Sequence, residues 1–315
     1  MRRIALLTVA CLFALPGFAN ERAAAPAKSA KAAPGKQAVA KPPQPKAAPE
    51  TDRDGNPLLQ SSGVMVLDAA TGQTLFAKNE NQVQSIASIT KLMTAMVVLD
   101  AGLPLDEPIE INSEDLDTLK HTTSRLPLGS VFRRGDLIRL SLVASDNRAA
   151  SALGRSYPGG ISAFVEAMNA RAKMLGLSAT QFVDSSGLAP GNVSSPADLA
   201  RLVAEAHGYP VIREYSVTKA LDVTLPESGR KLAFVNTNAL VREGSWDIGV
   251  SKTGFIRESG MCLVMQAVIA NTPVIIVLLD SWGRLTRVGD ANRIKRWLEK
   301  NPGKLALAGN PASRP

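Results

Sequence analysis

The 315-residue chain is poor in several side chains that carry chemistry, with two Cys, two His and 4% aromatic residues. Two Cys cannot build a disulfide scaffold. The two His, His121 and His207, leave a Ser-His-Asp triad or a zinc hydrolase without support, and both read as surface or loop residues. No metal and no other cofactor is implied. The apolar run near the start, Ile4 to Leu15, has twelve residues, well short of the roughly 20 that span a bilayer. What the chain has in excess is positive charge, a formal +8. That charge raises nucleic acid or acidic lipid as a partner, depending on where it sits.

Met1-Arg2-Arg3, the apolar run and Pro16-Gly17-Phe18-Ala19 read together as a secretory signal peptide over residues 1–19, cut after Ala19. Cleavage removes Cys11. Cys262, set in Met261-Cys262-Leu263-Val264, then reads as a buried, inert thiol. Residues 20–55 are rich in Ala, Pro and Lys and hold too little apolar surface to offset their ordering entropy, which predicts a disordered linker. No aromatic interleaves Lys28, Lys31, Lys36, Lys41 and Lys46 for base stacking. A solvated spacer and a tether toward an anionic envelope surface both fit. Residues 1–50 carry six of the eight net charges, and 51–315 hold 28 basic and 26 acidic residues. Nucleic acid drops out as a partner.

A globular pattern begins near residue 56 and runs to 300, followed by a short Gly/Pro/Ala tail over 301–315 expected to be flexible. Gly63 to Asp68 and Gln73 to Lys78 predict two strands around a tight turn. Ser88 to Ala101 predicts a helix buried on nearly all sides. Residues 100–225 read as a helical subdomain, with stretches at Gly135 to Leu153, Ile161 to Leu175 and Pro196 to Ala206. Strands return at Ile248 to Thr253, Cys262 to Ala270 and Val274 to Asp280, and an amphipathic helix carrying Val288, Ala291, Ile294 and Leu298 closes the domain. The expected fold is α+β: a central antiparallel sheet of about five strands from both chain ends, flanked by helices.

With histidine scarce, a lysine base is the remaining route to an activated serine. Ser-x-x-Lys occurs three times, at Ser88 to Lys91, Ser216 to Lys219 and Ser228 to Lys231, and chance alone supplies about one in a chain this long. Ser88 lies where a loop enters the buried helix, near unpaired backbone N–H groups, and Lys91 shares its face within an apolar setting. Ser216 lies in a β-branched stretch and Ser228 in an exposed turn. Taken alone, Ser88 reads equally as an ordinary helix N-cap with a snorkelling lysine. Ser145-Asp146-Asn147 and Lys252-Thr253-Gly254 break the tie, because Ser-x-x-Lys, Ser-x-Asn and Lys-Thr-Gly in that order are a known signature of penicillin-binding proteins and β-lactamases.

With these motifs the sequence resembles the serine D-alanyl-D-alanine peptidases, most closely the penicillin-binding protein 7 type of D-alanyl-D-alanine endopeptidase. The resemblance covers roughly residues 60–300 and extends through Ala87 to Asp100, Asp146 to Ala150, Tyr157 to Gly160 and Asn236-Thr237-Asn238. It implies that Ser88 attacks a D-alanyl carbonyl and that Lys91 takes its proton. Ser145 would relay a proton to the leaving amine, and Asn147 would bind the substrate amide and fix Lys91. Lys252 would oppose protonation of Lys91 and attract a carboxylate, Thr253 would add a hydrogen bond, and Gly254 would let substrate lie against the sheet edge. The N–H groups of Ser88 and Phe255 would form the oxyanion hole. Peptidoglycan stem peptides are the implied substrate, β-lactams the implied covalent inhibitors, and the periplasm the implied location.

A class A β-lactamase needs a deacylating glutamate after Ser-x-Asn, and Glu166 lies in an amphipathic helical run at the wrong spacing. A D-alanyl-D-alanine carboxypeptidase of this superfamily commonly carries an extra β-domain and a C-terminal amphipathic anchor, neither of which is read here. A non-catalytic β-lactam sensor needs a transmembrane coupling segment. The endopeptidase is the expectation that fits best, acting on D-alanyl to diaminopimelate cross-links.

Overall fold

Strand β1 (Gly63–Asp68) and strand β2 (Thr74–Lys78) form the first hairpin. Its turn is held by the Asp68 carboxylate, which accepts from Ala70 N at 2.8 Å and Thr71 N at 2.9 Å. This computed structural model describes residues 50–225, 228–283 and 285–308; the expected signal peptide, most of the expected linker and the last residues of the tail lie outside them. After β3 (Gln84–Ser85) a tight helical turn, Ala87–Ile89, leads into helix α1 (Thr90–Asp100). A small hairpin, β4 (Pro108–Glu110) and β5 (Val131–Arg133), precedes α2 (Arg134–Val143), α3 (Asn147–Arg155) and α4 (Gly160–Met174). Next come β6 (Val193–Ser194), which pairs with β3, then α5 (Pro196–His207) and α6 (Pro210–Ser216). A second small hairpin, β7 (Ala220–Thr224) and β8 (Lys231–Val235), is followed by α7 (Ala239–Glu243). Three ten-residue strands, β9 (Asp247–Ile256), β10 (Gly260–Ile269) and β11 (Thr272–Ser281), lead to α8 (Thr286–Lys300) and α9 (Pro302–Ala308).

The central sheet is antiparallel in the order β2-β1-β11-β10-β9, so the two ends of the folded segment meet where β1 pairs with β11. Side chains alternate between its faces. Met65, Val250, Cys262, Val264, Val277 and Leu279 join the core that contains α1 and α5, whereas Val64, Val66, Leu263, Met265, Ile276 and Leu278 pack with Ala291, Ile294, Trp297 and Leu298 of α8. The α+β architecture agrees with the sequence reading. Strand β9 is left at the edge, with its Lys-Thr-Gly segment beside the turn that begins α1.

Two local expectations need correction. The stretch Gly135 to Leu153 is two helices, because the chain reverses at Ser145, whose φ of +58° is left-handed. Asp146 then caps α3 by accepting from Ala149 N at 3.0 Å. Ser216, read as part of a β-branched stretch, ends helix α6, and its buried hydroxyl accepts from Ser251 N at 3.2 Å. Two terminal segments are also tied to the domain. Residues 50–55, read as the end of the linker, meet α8 through Trp297 Nε1 to Gly55 O at 2.8 Å and Arg296 Nε to Glu50 at 2.9 Å. Helix α9 falls within the residues read as tail, and its Leu305 is buried.

Candidate active site

The site begins with the burial of α1. Leu92, Met93, Ala95, Met96 and Val98 are fully buried on several sides of this helix, and each large apolar side chain so buried is worth about 1.5–3 kcal/mol. That driving force carries Lys91 inside with them, at 0% exposure. Ser88 sits one turn earlier and remains partly exposed. Lys91 Nζ lies 2.9 Å from Ser88 Oγ, 2.8 Å from Asn147 Oδ1 and 2.6 Å from Ser186 O.

These three contacts decide what the amine can do. The amide oxygen of Asn147 and the carbonyl of Ser186 only accept, so they take two N–H groups from the amine. Ser88 Oγ is the one neighbour of the three that can also donate. When Lys91 is neutral, its lone pair therefore faces the Ser88 O–H. Burial pushes the Lys91 amine down to about 8, while the charges of Asp184 and Asp146 push the other way.

Lys252, from edge strand β9, approaches from the opposite side and is also buried. Its Nζ donates to Ser145 Oγ and to Thr253 O, both at 2.9 Å. Burial holds it well below its ordinary value, with the charges of Lys91 and Arg287 adding to the effect. Sequence reasoning has the apolar helix favouring a neutral Lys91, and the resemblance adds Lys252 as a charge opposing its protonation. In the structure burial is the main cause for Lys91, as expected, and the neighbouring Lys91 charge also lowers Lys252.

The left-handed turn between α2 and α3 aims Ser145 at Lys252 and places Asn147 on Lys91. A non-glycine residue in this region costs about 1 kcal/mol or more. Asn147 Nδ2 donates to Thr122 Oγ1 at 2.8 Å, and Thr122 is itself held by the Asp117 carboxylate. Thr253 Oγ1 donates to Thr237 Oγ1 at 2.6 Å.

A Cβ at Gly254 would lie 2.8 Å from Ile86 O, 3.2 Å from Ala87 Cβ and 3.2 Å from Ser88 N. The missing side chain lets β9 close on the Ser88 turn, so its space is filled by the chain's own backbone. The same closeness brings Ser88 N beside the strand segment that carries Phe255, whose ring is exposed.

Among the described residues no group of three His, Cys, Asp or Glu is arranged to hold a metal. His121 is exposed on a loop, and His207 lies in the last turn of α5. Cys262 is fully buried, and burial pushes its thiol up to about 11. Sequence reasoning missed Asp117, Thr122, Asp184, Ser186 and Gly187. It also missed Arg287, which donates to Gly254 O at 3.2 Å from the N-terminal turn of α8. Only Asp184-Ser185-Ser186-Gly187 carried a signal, a turn pattern with nothing to say where the turn would pack. Beside Thr237 and Thr253 a cavity of about 380 Å³ is lined by Asn238, Arg242, Met261 and Arg287, among others.

Comparison with known proteins places this arrangement. Residues 50–283 match the family described as D-alanyl-D-alanine carboxypeptidase. A D-alanyl-D-alanine endopeptidase of Pseudomonas aeruginosa is 43% identical over 257 residues, covering 82% of each chain. One of Escherichia coli is 43% identical over 243 residues, covering 77% of this chain and 78% of that one. Among solved structures, the Streptomyces K15 DD-transpeptidase matches with a TM-score of 0.71 at 29% identity, over 76% of this chain and 97% of that one. Penicillin-binding protein D2 of Listeria monocytogenes, in its ampicillin-bound form, matches with a TM-score of 0.66 at 30% identity, over 77% and 98%. Fold and site thus define a serine-type peptidase. The chain belongs to the D-alanyl-D-alanine carboxypeptidase family, whose matched region contains all three motifs.

Proposed function

We propose that the protein is a serine D-alanyl-D-alanine endopeptidase that hydrolyses D-alanyl to diaminopimelate cross-links between peptidoglycan stem peptides. The observation that carries this reading is the buried, neutral-prone amine of Lys91 at 2.9 Å from Ser88 Oγ, in a chain 43% identical to two proteins named D-alanyl-D-alanine endopeptidase.

In this reading Lys91 takes the Ser88 proton as Oγ bonds to the D-alanyl carbonyl carbon. The N–H groups of Ser88 and Phe255 stabilise the resulting oxyanion. The C–N bond then breaks, and the leaving amine takes the proton that Lys91 received, relayed through the Ser145 hydroxyl that Lys252 holds, which leaves Lys91 neutral again. Lys91 then takes a proton from water as the water oxygen bonds to the acyl carbon, and that proton passes to Ser88 Oγ as the ester bond breaks, returning free Ser88 and a D-alanine carboxylate. Asn147 keeps Lys91 aimed at Ser88, and Lys252 and Thr253 line the edge strand along which an extended substrate adds. Arg242 and Arg287 give the adjoining cavity a charge suited to an acidic arm of the substrate. Residues 1–19 would direct export and 20–49 would serve as a spacer, which puts the enzyme in the periplasm. β-Lactams would acylate the same serine.

Purified protein is incubated with cross-linked muropeptide dimers and the products are resolved by mass spectrometry. Conversion of dimers to monomers is expected. Release of terminal D-alanine alone from stem peptides would make the enzyme a carboxypeptidase, the reading favoured by the family's name.

A further inference from the structure

We infer that Asp184 is a positioning residue for this reaction, holding the turn that seats both Lys91 and Ser88. The inference rests on the function proposed above. Asp184 lies in the segment 184–189 between α4 and β6. Its Oδ1 accepts from Ser186 N at 2.6 Å, Ser186 Oγ at 3.0 Å and Gly187 N at 2.5 Å, and its Oδ2 accepts from Ala189 N at 2.7 Å. One carboxylate thus gathers four donors of its own turn.

Each side of that turn touches the reacting pair. Ser186 O receives an N–H of Lys91 at 2.6 Å. Ser185 O accepts from Thr94 Oγ1 of α1 at 2.6 Å, one helical turn beyond Lys91. Gly187, at φ +83°, packs so closely on the peptide entering Ser88 that a Cβ would stand 2.0 Å from Ala87 O and 2.9 Å from Ser88 N. No side chain fits there, so the turn's position sets that of the nucleophile's backbone. The base is fixed by a carbonyl and the serine by a backbone contact, and both depend on the same carboxylate.

The charge of Asp184 has a second effect. Around Lys91 the charged groups are Asp184 from this turn, Asp146 from the turn between α2 and α3, and Lys252 from β9, with Arg287 of α8 behind Lys252. Asp184 is the largest contributor favouring the ammonium. Removing its charge while keeping the turn lowers the pH at which Lys91 becomes neutral.

The test measures second-order acylation by a fluorescent penicillin from about pH 5 to about pH 10. Wild type, Asp184→Asn, Asp184→Ser and Ser186→Ala are compared after thermal melts confirm folding. The acid limb of Asp184→Asn is expected to move down by about one pH unit, the scale of a nearby opposite charge. Ser186→Ala, which keeps the carboxylate, is expected to leave the limb in place. If Asp184→Asn does not fold, Asp184→Ser is read in the same way. A limb that coincides with wild type, or one that Ser186→Ala moves equally, overturns the assignment. Failure of the functional reading is separate, because Ser88→Ala would then label as wild type does.

Discussion

A lysine ammonium is among the groups least tolerated in an apolar helix, yet α1 buries Lys91 completely. That burial is the chief cause pushing the amine down to about 8. Only the neutral amine can take the Ser88 proton, so acylation is expected to fall about tenfold per pH unit well below 8 and to level off above it. Stopped-flow labelling with a fluorescent penicillin checks this; a flat profile from pH 6 to pH 9 would remove Lys91 as the base. Gly254→Ala is the sharper geometric probe, since its Cβ would meet Ile86 O at 2.8 Å. Acylation is expected to drop at least about tenfold, because small misplacements at a reacting centre are costly, with little change in the far-ultraviolet dichroism. Unchanged acylation would contradict the close packing of β9 on the Ser88 turn. The motif residues were legible because each motif is contiguous in sequence. Asp184 and Ser186 were not, because Ser186 reaches Lys91 through a carbonyl 95 positions away, and a carbonyl leaves no mark on residue identity.

Elements hold the site by ending in particular places. The apolar pattern from Gly135 to Leu153 carries no proline at its middle, so periodicity alone gives one helix. The break at Ser145 combines a tertiary contact, Lys252 on its hydroxyl, with a local one, Asp146 capping the next helix. Continuous apolar runs made β1, β10 and β11 easy to read, as strands covered on both faces, and the full burial of α1 followed from its composition. The anchoring of residues 60–61 was hidden, because its partner is a single carboxylate on α8. Asp290, fully buried, accepts from Gln60 N, Ser61 N and Ser61 Oγ and pairs with Arg293 at 2.6 Å. Asp290→Ala strands these donors and is expected to destabilise the domain by about 3 kcal/mol, seen as a lower urea midpoint. Acylation by the folded fraction should be unchanged, and a loss below about 0.5 kcal/mol would show that the cluster is not structural.

At the scale of the whole molecule, the net charge divides sharply. Residues 51–315 hold 28 basic and 26 acidic side chains, so that part of the chain is close to neutral. The sheet joins both ends of the folded segment, which is why Ser88 from its first third and Lys252 from its last can share one cleft. Order of motifs along the chain announced this meeting, but the distances between them came only with the fold. The proposed function turns on one step, formation of the acyl-enzyme by Ser88 activated by Lys91. Intact-mass and peptide mass spectrometry after incubation with penicillin tests it most directly. One adduct is expected, on the peptide containing Ser88, abolished in Ser88→Ala and strongly slowed in Lys91→Ala; an adduct on another residue, or equal labelling of Ser88→Ala, would contradict the account.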